Sequence, residues 1–148
     1  MIARLFKQLL DGVTAAPASK HTTDLAAASL LVEVMRADLS IDDSERQAMR
    51  DVLANLFTSL TPDNVEELIR QAETTAADAN DLYQFTELVH QHFSETQKFE
   101  LLTGLWQVAW ASNGLDRYEE HIIRRISELL YIPHSEFIRA KLEARPNS

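Results

Sequence analysis

An acidic break between two apolar helical segments occurs twice in this chain, and the recurrence narrows the folds open to it. The first copy is Ala37-Asp38-Leu39-Ser40-Ile41-Asp42-Asp43-Ser44-Glu45. The second is Ala111-Ser112-Asn113-Gly114-Leu115-Asp116-Arg117-Tyr118-Glu119. Asp42 and Asp116 set the offset at 74 residues. At that offset Leu31, Val34, Ala37, Asp42, Glu45, Arg50 and Leu56 meet Leu105, Val108, Ala111, Asp116, Glu119, Arg124 and Leu130. Met49, Val52 and Phe57 meet the similar Ile123, Ile126 and Tyr131. Two copies of one helix–acidic turn–helix unit bury their apolar faces better together than either does alone. The expected fold is therefore all-α: a compact bundle of seven or eight helices with an internal pseudo-two-fold duplication.

The motif has a family likeness. An apolar helix ending in Ala-Asp, a short turn, an aliphatic residue, then an acidic residue and Glu at the next helix start resembles the TerB-like domain of tellurite-resistance proteins. The resemblance spans residues 24–145 and takes in both halves. Leu39 stands where the family usually has Gly, and Ser112 where it usually has Asp. The resemblance implies a non-enzymatic acidic module of the cytoplasm. Such a module binds a divalent cation or a protein partner and is linked to tellurite or stress response. Similar helical domains occur in membrane-anchored co-chaperones of the DnaJ type, which keeps a metal-free adaptor role open.

Composition supports helix throughout: three Gly and four Pro in 148 residues, with no segment alternating like a strand. That length suits one domain with a proper core. The formal net charge of −9 repels phosphate backbones and argues against nucleic-acid partners. The absence of Cys excludes disulfides, thiolate zinc sites and a Cys nucleophile, and suits the cytoplasm. No apolar run is long enough to span a bilayer. The first ten residues lack a continuous apolar core and a small-residue cleavage site, so they do not read as a signal peptide.

Along the chain, Ile2, Leu5, Phe6, Leu9 and Leu10 follow the helical period, with Arg4 and Lys7 off the stripe. Residues 1–23 are thus an amphipathic helix plus linker, and 24–148 the helical domain. The arm either packs on the bundle or serves as a peripheral membrane or partner contact. A helix is expected from Thr23-Asp24 to Ala37, and a second from Asp42. Thr61-Pro62 places a cap and a first-turn Pro at the third. Ser94 and Gln97 have the spacing of a capping box. They open the most apolar helix, which carries Trp106 and Trp110 and is expected at the centre of the bundle. Pro133 or Ser135 starts the last helix.

The acidic turns supply the candidate site. Asp38, Asp42 and Glu45, with Asp116 and Glu119, converge if the repeats pack symmetrically. Carboxylate oxygens suit Ca²⁺, Mg²⁺ or Mn²⁺. The competing reading is capping: Asp42 with Glu45, and Asp116 with Glu119, have the spacing in which Asp caps the third amide and Glu reaches back. The twelve-residue loop of an EF-hand and its Gly are absent. His90 and His92 point to different faces, and His21, His121 and His134 are scattered, so histidine ligation is not expected. Asp63, Glu66, Glu67, Glu73, Asp78 and Asp81 read as a solvated face. No phosphate-cradling Gly loop or nucleophile motif is present, and an enzyme is the last choice.

Overall fold

A computed structural model describes residues 20–37, 43–79, 81–111 and 117–146. Among them are seven helices and no strand: α1 (Lys20–Ala37), α2 (Asp43–Leu56), α3 (Pro62–Asp78), α4 (Tyr83–His92), α5 (Glu95–Ala111), α6 (Arg117–Leu129) and α7 (His134–Ala144). The all-α expectation holds. The amphipathic segment 2–10 lies outside the described residues.

Local chemistry sets the helix ends. Thr61, in extended backbone, accepts from the Asn64 amide at 3.2 Å, and Pro62 follows as the first helical residue. Ser94 and Gln97 bond reciprocally: the Gln97 amide donates to Ser94 Oγ at 3.1 Å, and the Ser94 amide to Gln97 Oε1 at 2.8 Å. Each bond satisfies an amide that the first turn would otherwise leave unpaired. After α6 the chain turns through Tyr131 at φ 59°, with Ile132 N bonding Ser127 O and Tyr131 N bonding Glu128 O. That is the left-handed helix ending that Gly usually supplies, made here by tyrosine. The last helix starts at His134 with Pro133 as the preceding cap residue, so Ser135 is inside it.

Two expectations need correction. The first long helix starts at Lys20, so residues 20–23 are helical rather than linker, and Thr23 and Asp24 are buried inside the helix instead of capping it. The centre of the bundle belongs to α1 as well as α5. Residues 23–32 of α1 are buried at every position, and the helix packs against α2 through α6. Its Ala26-Ala27-Ala28-Ser29 run lets neighbours approach from all sides, and Ser29 spends its hydroxyl on Leu25 O at 2.8 Å. Side-chain size hid this in the sequence: small residues form no obvious stripe, yet they permit the closest packing.

Helix α5 packs against α1, α2, α6 and α7. Gly104 is where α2 crosses it: a Cβ there would lie 2.4 Å from Val52 Cγ1. Trp106 is fully buried, edge-on to Phe137 with centroids 5.2 Å apart. Trp110 is half-buried against the same core. Both tryptophans pack, as their spacing suggests.

Candidate functional site

Glu45 and Glu119 are the two predicted site residues that the described structure places. Each is the third residue of its helix, α2 or α6, and each has no exposed surface. The helix ends Ala37 and Ala111, and the starts Asp43 and Arg117, keep the 74-residue offset. Asp38, Asp42 and Asp116 lie outside the described residues, so the structure brings together no complete cluster of the five. Among the described residues no group of three or more His, Asp or Glu side chains is arranged to hold a metal ion.

Burial of these glutamates is the unexpected feature. A capping glutamate at the third position of a helix is ordinarily solvated, because its work is done at the helix surface. A buried carboxylate must be paired, hydrogen-bonded or metal-bound, and both glutamates are engaged by the protein. The first turn offers a favourable field for the negative charge, and for the same reason it opposes a cation placed on the axis.

The expected solvated acidic face differs from the sequence reading in one respect. It is an ion-paired flank between α2 and α3. Arg46 forks onto Glu73 at 2.7 and 3.2 Å, and Arg50 bonds Glu66. Asp63, Glu66, Asp78 and Asp81 are exposed, and Glu67 and Glu73 are half-buried. Arg36 beside Glu33 on α1 is a weaker pair at 3.7 Å, and burial raises the Glu33 carboxyl above its ordinary range.

Sequence reasoning missed Lys98. It is 3% exposed on α5, with Nζ 2.7 Å from His90 Nδ1 of α4, 3.3 Å from Leu130 O and 3.5 Å from Glu95. An ammonium has only donors, so it satisfies a carbonyl at the end of α6 and ties three elements together. The Tyr131 ring lies against His90, tilted by 52° with centroids 4.8 Å apart. His90 thus has a packing role, while His92, His121 and His134 are exposed. A lysine one turn inside a capped helix start has the pattern of any surface lysine, and nothing in its spacing marks it as buried.

No helix among the described residues is long and apolar enough to cross a membrane. Comparison with curated proteins finds no match, and comparison with solved structures finds none. A sequence model of the family described as tellurite resistance protein TerB matches residues 24–142, from the second turn of α1 into the last turn of α7. That span takes in all seven described helices and both acidic breaks, and the chain belongs to the TerB family.

Proposed function

We propose that this TerB-family chain is a non-enzymatic cytoplasmic module that holds a divalent cation in its acidic turns and serves tellurite or stress response. The observation that supports this reading is the complete burial of Glu45 and Glu119 at matching positions of α2 and α6. Solvated caps would suffice to start two helices; two enclosed carboxylates at the same offset suit ligation better. The remaining ligands would be Asp38, Asp42 and Asp116, giving an all-oxygen set for Ca²⁺, Mg²⁺ or Mn²⁺.

Gathering these carboxylates costs repulsion that a cation relieves. Binding to the native state alone stabilises it by about 2.7 kcal/mol at a hundredfold excess over Kd. The melting temperature should rise with millimolar Ca²⁺, Mg²⁺ or Mn²⁺, and Asp38→Asn should abolish the rise while leaving the caps intact. Asp42→Asn is a poor probe, because Asn both caps and ligates. No cation-dependent shift in the parent chain would leave capping as the work of these turns. A metal-free adaptor reading would then lead, supported by the exposed Tyr83, Tyr118, Tyr131 and Leu142.

A further inference from the structure

An aromatic ring, a carboxylate and a cation come together three times in this fold. The Arg139 guanidinium lies 3.8 Å over the Phe99 ring and bonds both Glu136 and Glu143. Lys141 Nζ lies 5.3 Å over the Trp106 ring and bonds Glu120 at 3.0 Å. Arg124 lies 5.0 Å over Phe137 and 4.0 Å from the same Glu120. In each case the negative face of the ring and the carboxylate attract one cation together. Rings and a carboxylate meet again on the surface of α4. Tyr83, Glu87 and His90 follow the helical period there, and the Tyr131 ring lies against His90 with centroids 4.8 Å apart. Glu87 accepts from Gln91 Nε2 at 2.9 Å and from the Tyr83 hydroxyl. Among the described residues, no Lys or Arg pairs with Glu87 or lies over either tyrosine ring. Lys98 touches His90 but is buried, held by His90, Leu130 O and Glu95.

Tyr83 is 59% exposed and Tyr131 73%, so both rings offer a face to solvent. Tyr131 stands at φ 59°, a position that Gly takes without steric cost. Strained residues of this kind cluster at ligand clamps. The Glu87 charge and its hydrogen bond raise the Tyr83 hydroxyl above its ordinary range, and Tyr131 adds to this, so the three groups act on one another. At about 1.5 Å per residue, Glu87 stands roughly 6 Å along the axis from Tyr83 and roughly 4.5 Å from His90. A cation paired with Glu87 is thus placed between the two tyrosine rings, at the range of about 6 Å over which a ring attracts it. We propose that Tyr83, Glu87 and Tyr131 receive an arginine side chain of a partner protein. The guanidinium pairs with the Glu87 carboxylate and lies against the rings, as Arg139 does with Glu136 and Phe99. Arginine suits the site better than lysine, because its planar group stacks and forms hydrogen bonds at once. The net charge of −9 draws a basic partner segment towards the chain. Tyr131 follows the opposite end of α6 from Glu119, so the inference stands whether or not the acidic turns hold a metal ion.

The test titrates the full-length protein with the peptide acetyl-Gly-Arg-Gly-amide, followed by NMR of the tyrosine rings and backbone amides. Saturable shifts should centre on Tyr83, Glu87 and Tyr131. The same peptide with citrulline for arginine keeps the shape without the charge, and should bind about tenfold more weakly. Tyr83→Leu and Glu87→Gln should each weaken binding of the arginine peptide about two- to fivefold. Tyr131→Gly should weaken it by a similar factor while the melting temperature stays level or rises, because Gly relieves the left-handed position. Equal binding of the two peptides, or shifts that Glu87→Gln leaves unchanged, overturn the proposal. Unchanged binding in Tyr131→Gly assigns that ring to packing and also overturns it. Shifts at the same tyrosines with phosphatidylcholine vesicles, and none with the arginine peptide, overturn it in favour of a lipid headgroup.

Discussion

Single residues in this molecule are constrained by what stands a few ångströms away. Gly104 is the clearest case. Alanine there gains helix propensity worth about 1 kcal/mol, but its Cβ would meet Val52 at 2.4 Å, and overpacking costs about 1–3 kcal/mol. Gly104→Ala should therefore destabilise the chain in urea unfolding, and should cost less in a Val52→Ala background. Equal cost in both backgrounds would dismiss the contact. Glu33 gives a pH signature. Burial raises its carboxyl, and Arg36 only partly offsets this. A carboxyl raised in the folded state favours the native protein below its ordinary range and loses that contribution as pH rises through the raised value. Glu33→Gln should thus be more stable than the parent at neutral pH, with the gap closing as pH falls through the raised value and flat below the ordinary glutamate range. A gap independent of pH would remove the assignment.

Helices here are started by side chains that can be read in the sequence and held by contacts that cannot. The Ser94–Gln97 box is reciprocal, so either half alone is worth less than the pair. Ser94→Ala should cost about 1 kcal/mol, and Gln97→Ala should add little in that background, by thermal or urea unfolding. Full additivity would mean that the two bonds act separately. The end of α6 follows another logic. Tyr131 takes the left-handed position at φ 59°, a conformation that tyrosine enters at a cost. Lys98 on Leu130 O and His90 on the Tyr131 ring hold it there.

The whole bundle is closed around α1 and α5, with α7 braced on α6 by Lys141 to Glu120 at 3.0 Å and by Arg124 over Phe137. Its N-terminal arm sets a test at this scale. Each large apolar side chain buried contributes about 1.5–3 kcal/mol. If Leu5, Phe6 and Leu9 complete the core, deleting residues 1–20 should lower the melting temperature by several degrees or more. A melting curve unchanged by the deletion would describe an arm that packs on nothing.

Periodicity, composition and capping spacing determined the helical class, most helix boundaries, the Thr61 and Ser94 caps and the place of the two acidic breaks. These are local properties, set by which residues neighbour one another along the chain. Spacing also put Glu45 and Glu119 at the third position of their helices, where they stand. Their complete burial was decided by tertiary structure, because a capping glutamate and an enclosed one have the same sequence signature. So were the enclosure of Ala26, Ala27 and Ala28, the burial of Lys98 against His90, and the pairing of Arg46 with Glu73 across two helices. Each depends on which helix lies alongside, and one sequence carries no record of that below the level of its apolar stripes. Small residues and long charged ones leave the weakest stripes, so their surroundings are fixed only when the helices pack.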